Sequence, residues 1–167
     1  MAKGQAERLM PLLAEMLAEA GIGWADLCAI GVGTGPGNFT GVRISVAAAR
    51  GLALGLGVPA IGVTAFDALA FGTQHPVSVV MDARRDEIYV QSFGDHGPGP
   101  ARFVAAADRP AGAVIGLDGR APRYPLAEAI ARITGQLFRT PQPRPAPFYL
   151  RAADAAPPSG PAPVILP

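Results

Sequence analysis

Lysine is nearly missing from this chain: of its 14 basic side chains only Lys3 is a lysine, and the others are arginines. A phosphate loop of the Gly-x4-Gly-Lys-Ser/Thr type is thereby excluded, because it needs a lysine beside the phosphates and a hydroxyl on the metal. Cysteine is equally scarce. A single Cys28, within Leu27-Cys-Ala-Ile30, rules out an intrachain disulfide and a cysteine-based zinc cluster, and reads as a small core residue. Two histidines, His75 and His96, each sit beside proline or glycine. Neither has a carboxylate or cysteine at relay spacing, and no His-Glu-x-x-His is present, so nothing supports a peptidase. Charge is sparse too, at 16% of residues with a net +1. The arginines are scattered and form no stripe, so no electrostatic footprint for nucleic acid is visible. The first 20 residues are broken by charges and Pro11, unlike a signal peptide. No stretch of about 18 residues lacks a charge or a breaker. The longest apolar run, Val42–Val63, carries Arg43, Arg50, four glycines and a proline. The expectation is a cytoplasmic protein with no membrane partner.

What is abundant is apolar and small. Half of the residues are hydrophobic and mean hydropathy is +0.28, rich enough to suggest a covered partner surface. Five glycines and a proline crowd into Gly31-Val-Gly-Thr-Gly-Pro-Gly-Asn-Phe-Thr-Gly41, between a strand-like run and a long helix. Such a turn brings backbone N–H groups near whatever lies above it. Gly33, Gly35, Pro36, Gly37, Phe39 and Thr40 are therefore a candidate phosphate loop. The dinucleotide fingerprint fails, since Pro36 stands where its third glycine belongs. Tight strand-to-helix packing is the competing reading.

The pattern predicts helices over Gln5–Ala20, Thr40–Leu56, Ala65–Phe71 and Leu126–Leu137, with Pro11 a possible kink and Thr40 an N-cap. Strands are expected at Leu27–Val32, Ala60–Val63, Val77–Met81, Ile88–Phe93 and Ala113–Leu117. The charged turn Arg84-Arg85-Asp86-Glu87 joins the third and fourth as a solvated surface or a contact with a partner or RNA. Gly94–Pro100 reads as loop. Nine of eighteen prolines fall after residue 139, and Pro141, Pro143, Pro145 and Pro147 alternate along an extended path that leads to a tail. The expected organisation is a first lobe at 1–72, a second at 73–139 and a proline-rich segment at 140–167.

The first two helices have too much apolar surface for one core. Leu9, Met10, Leu12, Leu13, Ala14, Met16 and Leu17 spread over an arc of roughly 200°, whereas a helix on one core needs about 100°. On the second helix Val42, Val46, Ala49, Ala53 and Leu56 form one face. Gly41, Ser45, Ala48, Leu52 and Gly55 form another, mostly of small residues, and Arg43 and Arg50 share a narrow edge. A helix without a polar side is buried on most sides. Leu9, Met10, Leu13, Met16, Leu17, Gly41, Arg43, Ser45, Ala48, Arg50 and Leu52 are the candidate partner interface.

Three blocks carry a resemblance. Gly35-Pro-Gly-Asn-Phe-Thr-Gly-Val-Arg-Ile-Ser45, Ala49-Arg-Gly-Leu-Ala53 and Gly57-Val-Pro-Ala-Ile-Gly-Val63 closely resemble the TsaB (YeaZ) family. Glu7–Pro11, Asp82–Val90 and Phe148–Arg151 agree, so the likeness covers roughly residues 5–155. The resemblance implies an α/β, actin-like ATPase (ribonuclease H-like) fold with a smaller second lobe. That family opens with an apolar Asp-Thr-Ser strand and a hairpin not found here, so the fold is expected to be N-terminally truncated, marginal or oligomeric alone. It also implies a non-catalytic subunit of the machinery that places threonylcarbamoyl on adenosine 37 of tRNA. In that family the first two helices dock on a TsaD-type catalytic subunit or on a second copy, a TsaE-type ATPase joins, and tRNA enters through the complex. ATP and metal are expected on those partners, with no cofactor in this chain. The catalytic sister family, TsaD, holds its metal with two histidines whose slots here are Ala65 and Leu69, and neither side chain can ligate. Asp67, between them, reads as a helix-start carboxylate. A small phosphotransferase using Gly33–Gly41, or a fragment without function, are the alternatives.

Overall fold

The computed structural model describes residues 5–150. Helix α1 (Gln5–Glu19) keeps Pro11 within its length. A short 3-10 turn, Trp24–Asp26, then leads to strand β1 (Ile30–Gly33). The strand starts three residues later than the sequence suggests, because Gly23 N–H is taken by the Asp26 carboxylate and pairing begins only at Ile30, which donates to Pro59. Cys28 lies in that connection and is exposed, so it is not the core residue expected.

Helix α2 (Phe39–Leu56) follows, and strand β2 (Ala60–Val63) pairs in parallel with β1, Ile30 opposite Ala60 through Gly33 opposite Val63. A parallel pair requires such a crossover helix. Gly57 ends α2 in the left-handed region at φ 69°, a backbone conformation that favours glycine. At 18 residues and mean hydropathy 1.3, α2 is long and apolar enough by composition to cross a membrane, although it carries Arg43 and Arg50. Its place is a crossover, with Val46, Ala49 and Ala53 buried.

Helix α3 (Ala65–Ala70) links this sheet to a second, built from β3 (Val77–Arg84), β4 (Glu87–Gly94), β5 (Gly97–Pro98), β6 (Arg102–Ala105) and β7 (Val114–Gly116). The order is β5-β4-β3-β7, with β6 also on β4. Strands β5 and β6 go beyond the sequence reading; at two and four residues they are too short to show alternation. The β3–β4 hairpin turns through Arg85 and Asp86, and Arg84, Arg85 and Asp86 all have positive φ, a left-handed path that non-glycine residues adopt at some cost.

Helix α4 (Leu126–Leu137) returns to the first sheet. It had been expected in a second lobe at 73–139, and the packing differs. Ile61, Val63, Ala68 and Ala129 form one core with Ile130 and Ile133. The β1–β2 pair is thus a layer between α2, on Ile30 and Val32, and α4 on the opposite face. Segment 141–149 has no regular structure and is tied in where Phe148 N–H donates to Thr34.

The face of β1 toward α4 is glycine for a steric reason. A Cβ on Gly31 would lie 2.2 Å from Thr134 Oγ1 and 3.0 Å from Ile130 Cγ2, and one on Gly33 would lie 3.3 Å from Ile130 Cδ1. Gly31→Ala is expected to destabilise the fold by about 1–3 kcal/mol. Thr134→Ala added to it should recover part of the loss, read by denaturant melts; equal stability of Gly31→Ala and the parent would refute the close approach.

Candidate functional site: an open groove between the first two helices

No side chain of the described part of α1 is buried. Leu9, Leu13 and Leu17 are half-buried, and Met10 and Met16 are 42% and 56% exposed. On α2, Gly41, Ser45, Ala48 and Leu52 are half-buried, and the Ser45 hydroxyl donates back to Val42. Between the helices lies a cleft of about 530 Å³ lined by Met10, Trp24, Ala48, Gly51, Leu52, Gly55 and Leu56. All are apolar. A Cβ added at Gly51 or Gly55 would meet nothing within 4 Å, so this side of α2 is open. Burying the part of Met10 and Leu52 still open to solvent would contribute roughly half of the about 1.5–3 kcal/mol that full burial of such a side chain gives.

Of the proposed interface residues, the cleft brings together Met10, Ala48 and Leu52. Trp24 and Gly51 line it too and were not singled out in the sequence, and Leu56 lines it although the sequence put it on the Val42–Val46–Ala49 face; Trp24 follows the helix-ending glycines, where spacing carries no signal. Arg43 and Arg50 lie elsewhere. At 100° per residue they stand roughly 150° around α2 from the groove's centre. The Arg43 guanidinium stacks 3.8 Å over the Phe39 ring and donates from Nε to the Tyr149 hydroxyl at 2.8 Å.

The glycine-rich loop is largely committed to packing. Thr34, Gly35 and Pro36 are buried. Thr34 N–H donates to Val63, Gly35 C=O accepts from Ala65 N–H, and Gly35 has φ +97°. Phe39, Thr40 and Gly37 are exposed. The N-cap is Asn38, whose side chain accepts from Gly41 N–H at 2.8 Å, and not Thr40, which already lies within the helix. Two N–H groups that a phosphate would need are thus taken by the protein.

Nor do the residues at the sister family's metal slots fit a metal. Ala65 is buried with its N–H on Gly35, and Leu69 packs in the core around Phe66. Asp67 accepts from the Thr64 hydroxyl at 2.6 Å while Thr64 accepts from Asp67 N–H, a helix-start pair. Asp67 and His75 line one cleft of about 440 Å³, and among the described residues no group of three or more His, Cys, Asp or Glu converges.

The comparisons with known proteins agree with this architecture. Residues 1–143 match the family profile described as TsaD, tRNA N6-adenosine threonylcarbamoyltransferase. The chain belongs to that family. An uncharacterized protein of Mycobacterium tuberculosis is 37% identical over 171 residues, covering 93% of this chain and 79% of the relative. The Escherichia coli tRNA threonylcarbamoyladenosine biosynthesis protein TsaB is 39% identical over 88 residues, 50% of this chain and 38% of that protein. A solved Pseudomonas aeruginosa structure described as similar to peptidase YEAZ superposes with a TM-score of 0.66 at 26% identity, covering 87% of this chain and 84% of the other. YeaZ from Pseudomonas aeruginosa gives 0.65 at 25% identity, over 81% and 78%. The resemblance to TsaB (YeaZ) and the actin-like, ribonuclease H-like α/β fold are thus borne out.

Asn38→Ala is expected to lower stability by about 1 kcal/mol through loss of the cap, and Thr40→Ala to change it by far less. Thermal melts of the two variants decide; the reverse order would return the cap to Thr40.

Proposed function

We propose that this chain is a non-catalytic subunit of the machinery that makes N6-threonylcarbamoyladenosine at position 37 of tRNA, in the cytoplasm. It would dock on a TsaD-type catalytic subunit through the groove between α1 and α2 and hold that subunit in its active state. The observation that carries this reading is the apolar groove beside a helix with no buried described side chain. An uncharged cleft floored by small residues lets another helix approach closely, and short distances improve packing. The name of the TsaB relatives supplies the pathway. The non-ligating pair Ala65 and Leu69 supports leaving chemistry, metal and ATP to the catalytic subunit and to a TsaE-type ATPase. A second copy of the chain would compete for the same groove.

Ala48→Glu places a charge on the groove floor, where docking would desolvate it at a penalty of several kcal/mol. Expressed with the catalytic subunit, this variant should elute alone, with tRNA modification lost. Leu126→Glu, at an exposed leucine on α4 away from the groove, should co-elute as the parent does. Normal co-elution of a folded Ala48→Glu variant would overturn the docking face.

A further inference from the structure

Arginines scattered along the sequence are gathered by the fold into one track. Arg43 and Arg50 are seven residues, about 10 Å, apart along α2. Segment 139–149 runs beside them. At one end Arg43 bonds Tyr149; at the other, Arg50, Arg139 and Arg144 line one cleft of about 740 Å³. Among the described residues no carboxylate lines that cleft. Among the described residues the ion pairs are Arg8–Glu15, Arg109–Asp118 and Arg132–Glu128, so none of these four arginines has an acidic partner. Aromatic rings mark both ends. Phe39 and Tyr149 are 40% and 45% exposed with centroids 5.2 Å apart, and Phe138 lines the cleft with the Arg139 guanidinium 5.3 Å from its ring.

Four guanidinium groups with no counter-charge among the described residues attract a polyanion, and each can take a phosphate by a bidentate contact. The exposed rings narrow the choice. A positive groove that follows a backbone, with aromatic faces for the bases, is the chemistry of single-stranded nucleic acid binding. An acidic peptide would satisfy the arginines but make no use of the exposed parts of the Phe39 and Tyr149 rings. A free nucleotide would fill one end alone. We propose that the Arg43–Arg50 edge of α2 and segment 139–149 form a track for a single-stranded stretch of RNA. That this RNA belongs to a tRNA rests on the function proposed above. Because Arg43, Arg139 and Arg144 are exposed and Arg50 is half-buried, binding depends on salt, with screening over about 8 Å at physiological ionic strength.

The test uses the full chain, alone and with its catalytic partner, and an unmodified tRNA transcript followed by fluorescence anisotropy from 50 to 200 mM salt. Arg50→Glu with Arg144→Glu is expected to weaken binding at least tenfold and to flatten the slope of log K against log salt by about two. The neutral pair Arg50→Gln with Arg144→Gln should flatten it similarly. Phe39→Ala with Tyr149→Ala should weaken binding about tenfold at unchanged slope. Unchanged affinity and slope in folded arginine variants would overturn the track. So would ring variants that bind normally while heparin or an acidic peptide competes as well as RNA, since the site would then be a general polyanion surface. Co-elution separates the two proposals: the arginine variants should still bind the catalytic subunit, whereas Ala48→Glu should not. Loss of co-elution in the arginine variants would assign this edge to the protein partner and end the RNA reading.

Discussion

The approach of α4 to β1 constrains everything around it. With Thr134 and Ile130 packed where a Gly31 side chain would be, one face of the two-stranded sheet is closed by α4. The opposite face is then left to α2, which closes it with Val46 and Ala49. Two strands offer room for little else, and an isolated pair of strands is marginal without helices against it. The glycines that look like a phosphate motif are therefore, at positions 31 and 33, a condition for assembling the layer. The loop beyond them is tied down by the same logic, through Thr34 to β2 and Gly35 to α3.

Once α2 serves the sheet with one face, its other sides follow different rules. The side of Ala48, Gly51, Leu52 and Gly55 is small, apolar and open. The edge of Arg43 and Arg50 is charged and meets segment 139–149. This explains a helix apolar enough to pass for a membrane span by composition. Its hydropathy comes from a core face and a groove face added together. The polar side of an ordinary surface helix is reduced here to one edge.

Local signals made much of this legible. Strand β2 and helix α4 match their sequence bounds residue for residue, because Gly57 with Pro59 and the Leu126-Ile130-Ile133-Leu137 spacing are unambiguous. Where two neighbours compete for one role, sequence was weaker: Asn38 takes the cap that Thr40 could have taken. Cys28 looked like core because Leu27–Val32 is continuously apolar, yet pairing begins at Ile30 and leaves it outside. Sequence separation hid the rest. Nothing in residues 126–137 says that α4 packs across the chain on β1. Nothing local brings Arg139 and Arg144 beside Arg50, or Tyr149 to Arg43 over 106 positions. The absence of a basic stripe in the sequence was true of the sequence and not of the surface.

Helix α3 shows how the two sheets are joined. Its six residues join the two sheets, with Phe66 fully buried toward β3 and β7 and Ala68 buried toward β2 and α4. Ala65 is buried as well, its N–H spent on the glycine-rich loop. Histidines at 65 and 69 would place two larger, polar rings where a methyl and a leucine now fill the joint, and buried polar groups without partners are costly. A protein can use this short helix to carry a metal or to weld its two sheets with apolar contacts. Here the side chains are those of the weld, and the groove and the arginine edge lie outside it.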